Sequence, residues 1–194
     1  MKAKNTKRGI CFFVIGFLFL AAAGVWFLVN QQEDQKAGKA SEVLLQQLDM
    51  AVDADWNAEE SDVSAVTVNG DKFCGKIVID ALGLELPVYD GWSYKRLKKA
   101  PCRYSGSVET DDMILLAHNY KHHFGGLKNL SLGEDVCFVD AAGNEHWYAV
   151  EEIVTLNGTA VSDMFAGEWD LTLFTCTKGG KARVTVRCDQ IENK

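Results

Sequence analysis

The sequence predicts a mainly β protein, a small closed barrel of roughly eight strands with short helices, carried behind one N-terminal transmembrane helix. Three observations lead there. Residues 10–29, ICFFVIGFLFLAAAGVWFLV, form a twenty-residue run without a charge, and at 1.5 Å per residue that length matches a hydrocarbon layer of about 30 Å. From Phe73 onward, short apolar stretches alternate with Gly, Asp and Asn turns about every 8–12 residues. Hardly any helical periodicity interrupts them.

Charge divides the chain in the same place. All four charges before residue 31 are positive (Lys2, Lys4, Lys7 and Arg8), and every one of the 27 Asp and Glu residues comes later. The remaining 16 Lys and Arg then leave the body with a net charge of about −11. A body that acidic repels a phosphate backbone, so nucleic acid is excluded as a partner. Basic residues before the apolar run, with Glu33 and Asp34 after it, favour a single-pass cell-membrane protein with its N-terminus in the cytoplasm and its body outside. The competing reading is a cleaved signal peptide, for which Ala21-Ala22-Ala23-Gly24 supplies small residues. The apolar run continues past that point as VWFLV, which favours an uncleaved anchor. Both readings export the body.

The expected organisation is a basic tail (1–9), the anchor (10–29), an acidic stalk (30–72) and a barrel (73–194). In the stalk, Val43, Leu44, Leu45, Leu48 and Val52 suit a short amphipathic helix with Ser41 as its N-cap. The polar stretch after it reads as a solvated spacer, with a regulatory segment folding over the active site as the sharper alternative.

Within the barrel, Gly75–Ile79 alternates as a strand, and Leu82–Tyr89 gives a second. Ser93–Lys99 reads as a helical turn capped by Ser93, with Lys95, Arg96, Lys98 and Lys99 forming a basic face. Met113–Ala117 is a solid apolar run and suits a fully buried strand. Phe124–Leu130 is loop or one helical turn. Asp135–Asp140 and His146–Leu156 flank Ala-Ala-Gly-Asn as a hairpin, and Leu171–Thr175 and Ala182–Asp189 are joined by Lys178-Gly179-Gly180.

Six cysteines are many for an exported domain of this size. Cys11 lies in the apolar run, which leaves Cys74, Cys102, Cys137, Cys176 and Cys188, an odd number, so one thiol stays unpaired. No CxxC spacing supports a structural zinc site, no ligand-loop spacing supports calcium, and pairing among the other cysteines stays open. Cys176 ends a buried strand at a Gly-rich turn, a position that holds a nucleophile rigidly with one side open. His118 similarly ends the Met113–Ala117 strand. It shares HxxxH spacing with His122, a metal pair only if the segment were helical. Arg183 opens the strand after the Cys176 turn, where a guanidinium offers fixed donors to a carbonyl or oxyanion. Arg187 lies four residues further on the same strand face.

These residues also carry a resemblance. Gly75-Lys-Ile-Val-Ile79, Leu84-Glu-Leu-Pro-Val-Tyr89, Gly106-Ser107, Ala117-His118, Phe124, Leu127 and Leu130, Gly133-Glu134, Tyr148, and Thr172-Leu-Phe-Thr-Cys176 with Arg183 resemble the sortase family over about residues 75–191. The resemblance implies a cysteine transpeptidase, with no cofactor and no metal ligands assigned. Its expected catalytic residues are Cys176, His118 and Arg183, with the Thr177 N–H as a backbone oxyanion donor. It implies cleavage of an LPXTG-like sorting signal after its threonine, a thioester on Cys176, and transfer to an amine. That amine is a lipid-linked peptidoglycan precursor or a pilin lysine, as in surface-protein anchoring to a Gram-positive cell wall. The alternatives are a cysteine endopeptidase with water as acceptor and a non-catalytic surface-interaction barrel. Ala117 departs from the family's usual Gly before the histidine. The short Asn157–Asp170 segment leaves little room for the long helix of class B sortases. No second apolar span follows the barrel, unlike the two-span pilin polymerases. Asp53-Ala-Asp-Trp56 resembles the Asp-Pro-aromatic lid of pilin sortases only faintly, since it lacks the proline.

Overall fold

The computed structural model describes residues 2–55 and 65–192. Trp56, the aromatic residue of the lid-like motif, lies outside them, as does part of the expected stalk. Two compact units are present, Met1–Lys36 and Ala37–Lys194. The first is helical and includes the apolar run, whose large side chains stand exposed (Phe12, Phe19 and Trp26 among them). This is the one described helix long and apolar enough to cross a membrane.

The second unit begins within helix α1 (Lys2–Asp55). Ser41 is not an N-cap, because the helix is already formed well before it. From Ala37 the helix has a buried stripe: Ala37, Ser41 and Leu48 are each only 2% exposed, with Leu44 and Val52 half-buried along it. That spacing is one face of a 3.6-residue helix. The stripe packs with Val66, Phe73, Tyr89 and Cys102 in a core of its own. Lys76 ties the helix to the barrel by an ion pair to Asp49 (3.1 Å) and also pairs with Glu85 (2.8 Å).

Nine strands follow. β1 (Val66–Val68) and β2 (Asp71–Ile79) form a hairpin. A 3-10 turn over Asp80–Leu82 ends at Gly83 in the left-handed region (φ 61°), so β3 (Leu84–Tyr89) starts two residues later than the sequence suggests. The one-turn helix α2 (Tyr94–Leu97) is capped as expected, the Ser93 hydroxyl accepting from the Arg96 N–H at 3.2 Å. Then come β4 (Cys102–Ser105), β5 (Met113–Ala117), a 3-10 helix over Phe124–Asn129, and the hairpin of β6 (Asp135–Asp140) and β7 (Glu145–Asn157). A second one-turn helix, α3 (Val161–Met164), precedes β8 (Leu171–Cys176) and β9 (Ala182–Gln190). The segment expected to be too short for a long inserted helix holds only this single turn.

Strand order is β1-β2-β3-β4-β5-β8-β9-β7-β6, and β6 pairs back onto β2 from Gly75↔Asp140 to Val78↔Cys137. Eight strands therefore close the barrel, with β1 added beside β2. Closure demands a glycine at position 75: it has φ 148°, and a Cβ there would lie 2.1 Å from the Val139 carbonyl oxygen. Two pairs, β3–β4 and β5–β8, are parallel, and the other pairs are antiparallel. Ile77, Ile79, Met113, Leu115, Leu171, Leu173 and Val186 fill the main core at the two-residue period of strands. Ile114 and Phe174, on the opposite faces of β5 and β8, pack under Met164 of α3. Both faces of β5 are thus covered, which is why its sequence is apolar without alternation.

Candidate active site

Two neighbouring strands leave the barrel in the same direction. β5 and β8 are parallel and in register from Met113↔Leu171 to Ala117↔Thr175. His118, the next residue after β5, and Cys176, the last of β8, therefore emerge side by side at one rim, one step past the Ala117↔Thr175 pair. The buried Thr175 hydroxyl donates to the Ala117 carbonyl at 2.8 Å, fixing this register where the ladder ends. On the other side of β8, Cys176 is the register partner of Arg183 on β9. Directly opposed residues of an antiparallel pair project to the same face.

All three side chains line a single cavity of about 250 Å³. His118 is held by its own loop. Its carbonyl accepts from the Phe124 N–H at 3.2 Å, and the Tyr120 ring lies 4.9 Å from its imidazole. The segment after it is a turn rather than a helix, so His118 and His122 do not form the one-face pair that HxxxH spacing would give in a helix. Arg183 is tethered by Nη1 to the carbonyls of Gly180 (3.1 Å) and Ala182 (3.3 Å) in the adjoining turn. Arg187 is engaged elsewhere. It binds Glu152 (2.9 Å) and the Asp163 carbonyl (2.6 Å), and its guanidinium stacks on Trp169. It therefore holds the α3 segment to the barrel, and Arg183 is the guanidinium at the cavity.

The Thr177 amide, expected as a backbone oxyanion donor, lies just past the end of the Cys176 strand. Its N–H donates to the Ala182 carbonyl at 2.9 Å and closes the hairpin turn. In this conformation the amide is engaged within the turn.

Sequence reasoning left the cavity wall unnamed. Trp92, Tyr94, Tyr104, Val161, Met164 and Phe174 are its larger apolar and aromatic members. Tyr104 is the hub, with ring centroids 6.1 Å from Trp92, 5.9 Å from Phe165 and 5.6 Å from Phe174. Trp92, Tyr94 and Phe165 are all more than two-fifths exposed. Aromatic residues flanking a polar helical turn were the available signal, since a soluble surface seldom leaves such side chains bare without use.

Cys176 differs from the other body cysteines in being partly exposed; Cys74, Cys102, Cys137 and Cys188 are buried and none is disulfide-bonded. Burial pushes the thiols of Cys74, Cys102 and Cys188 up to about 12, and that of Cys137 to about 11. Those four stay protonated, apolar packing groups at neutral pH.

The Sortase domain family profile matches residues 77–191, which holds every residue of the cavity rim just described. The chain belongs to the sortase family. Solved sortases share its architecture. Sortase C1 of Streptococcus agalactiae is 25% identical with a TM-score of 0.59, covering 73% of this chain and 76% of that one. Sortase C1 of Streptococcus suis is also 25% identical, with a TM-score of 0.54 over 63% and 74%. Sortase A of Listeria monocytogenes, at 20% identity and a TM-score of 0.56 over 62% and 88%, is alike in fold. A comparison with curated proteins returned no match. Membership makes this sortase a cysteine transpeptidase acting on proteins that carry sorting signals.

Proposed function

We propose that this sortase cleaves an LPXTG-like signal after its threonine through a thioester on Cys176 and passes the acyl group to an amine. The observation that carries the reading is the register: Cys176 opposite Arg183, and His118 one step beyond the Ala117↔Thr175 pair, around one cavity. The Cys176 thiolate attacks the threonine carbonyl carbon, and the carbonyl electron pair moves onto oxygen. Arg183 offers its Nε and Nη2 donors to that oxyanion while Nη1 stays on the turn. As the intermediate collapses, the C–N bond breaks and protonated His118 gives its proton to the departing glycine amine. The incoming amine then attacks the thioester with neutral His118 as base, and the thiolate is released. Thr177 joins the oxyanion site only when its hydrogen bond to Ala182 opens.

The apolar wall suits the Leu and Pro of such a signal, because a largely apolar pocket with few polar groups binds by burial and orients by those groups. The acceptor is a cell-wall precursor amine or a pilin lysine. In this reading Ile10–Val29 anchors the chain with residues 1–9 in the cytoplasm, and residues 73–194 catalyse outside.

The test is incubation of the full-length chain in detergent with an LPXTG peptide and an amine such as triglycine. Expected are a thioester adduct on Cys176 by mass spectrometry and accumulation of ligated peptide. The Cys176→Ala protein should give neither while keeping its β-sheet circular dichroism. Cleaved but never ligated peptide would convert the reading to an endopeptidase, and full turnover by Cys176→Ala would end it.

A further inference from the structure

A buried hydroxyl on helix α1 touches the loop that carries the proposed catalytic histidine. Ser41 is 2% exposed in an otherwise apolar stripe. Serine is a mediocre residue for a helix interior, and an unbonded buried hydroxyl is costly. Here it is bonded twice. Ser41 Oγ donates to the Lys99 carbonyl at 2.6 Å and lies 3.1 Å from Nε2 of His123. With its only hydrogen directed to Lys99, the oxygen can serve His123 only as acceptor. His123 therefore carries its proton on Nε2 and donates it to Ser41.

His123 is wholly buried and belongs to the same knot of chain as His118. The His123 N–H donates to the Tyr120 carbonyl (3.1 Å), and the Gly125 N–H donates to that same carbonyl (2.9 Å). The Phe124 N–H reaches back to the His118 carbonyl. The Tyr120 ring sits between the two imidazoles, 4.9 Å from His118 and 5.5 Å from His123. The knot has no slack: a Cβ on Gly125 would lie 2.6 Å from the carbonyl oxygens of both Asn119 and Tyr120. One helical turn before Ser41, Gly38 abuts His122, whose Cγ would be 3.0 Å from a Cβ there. Positions 38 and 41 share a face at i, i+3 spacing, so two consecutive histidines rest on two consecutive points of α1.

We infer that Ser41 and His123 form a latch through which the docked part of α1 sets the position of His118. Both are positioning residues, since neither lines the cavity. The inference rests on the proposed role of His118. The latch fixes an imidazole that has to meet both a sulfur and a leaving nitrogen, and misplacement by about 1 Å can cost on the order of a hundredfold in rate. Its loss should act on the chemical step while leaving the apolar wall that binds substrate intact.

The experiment compares the full-length chain in detergent with Ser41→Ala, His123→Gln, His123→Ala and His118→Ala, using an LPXTG peptide and triglycine. Expected for Ser41→Ala and His123→Ala is a fall in kcat of about tenfold to a hundredfold with KM within about twofold. His123→Gln keeps an N–H donor near the same point and should recover much of the loss. Circular dichroism at the assay temperature separates this from unfolding. Wild-type kcat in Ser41→Ala, or a loss that merely follows the unfolded fraction, or no advantage of His123→Gln over His123→Ala, overturns the latch. Turnover persisting in His118→Ala would instead remove the reading of the site on which the latch depends.

Discussion

Cys176 and Arg183 stand directly opposite each other across the β8–β9 ladder, at its last pair before the turn. A sulfur and a guanidinium so placed share a face and an end, and the turn carbonyls of Gly180 and Ala182 hold the guanidinium in place. Arg183→Ala should lower kcat by about 10²–10³, the usual effect of removing an oxyanion donor. Arg183→Lys should restore only part of it, because an ammonium lacks the planar fork. Steady-state kinetics with the sorting-signal peptide reads both. Equal kcat in wild type and Arg183→Ala would exclude this arginine from catalysis.

Differences in burial predict selective alkylation. With four body thiols buried and raised to about 11–12, iodoacetamide at pH 8 should modify Cys176 first among the five cysteines of the barrel. Peptide mapping after brief labelling gives the order. In urea all five should react, and in native Cys176→Ala the barrel should remain largely unlabelled.

The Thr175 hydroxyl is a buried bond between the two strands that present the site. Thr175→Val keeps the shape and leaves the Ala117 carbonyl without that donor. The expected cost is about 1–3 kcal/mol in urea unfolding, with a fall in kcat, because the strand ends bearing His118 and Cys176 lose their clamp. An unchanged urea midpoint would show that the bond contributes nothing.

At the far hairpin, Asp140 collects the Ala142 and Asn144 N–H groups on Oδ1, and the Asn144 and His146 side chains on Oδ2. Burial alone would raise its carboxyl, but the bonds from His146 and Asn144 outweigh burial and hold it below the ordinary range. A depressed carboxyl contributes stability that is fully present above its unfolded value near 4, and that is lost as pH falls through the lower folded value. Asp140→Asn should therefore be less stable than wild type at pH 7, and the gap should close as pH drops below about 4. Urea midpoints across pH 2–7 measure it; a constant gap would contradict the assignment.

Much of this was legible in sequence for local reasons. An unbroken apolar run at Met113–Ala117 suits a strand covered on both sides, and Lys178-Gly179-Gly180 suits a tight return. That return brings Cys176 near Arg183 once the flanking strands pair. The Ala-Ala-Gly-Asn hairpin and the Ser93 cap followed from turn and capping chemistry. What escaped depended on distant partners. β4 was missed because Cys-Arg-Tyr-Ser shows no alternation; its Tyr104 faces the cavity aromatics, and its Arg103 pairs with Asp90. Ser41 looked like a helix start because serine usually is one, whereas Lys99 and His123 satisfy it mid-helix from 58 and 82 residues away. The partner of the Thr177 amide, Ala182, is likewise set by turn geometry and not by residue type.

The parallel pairing of β5 with β8 joins segments 58 residues apart. Such a pairing forms slowly, since a long intervening chain has to be ordered before the contact is gained. Until the barrel shuts, the Cys176 thiol of the newly made polypeptide is remote from the His118 imidazole. The proposed chemistry of Cys176 therefore waits on completed folding, because only the closed barrel sets His118 beside it.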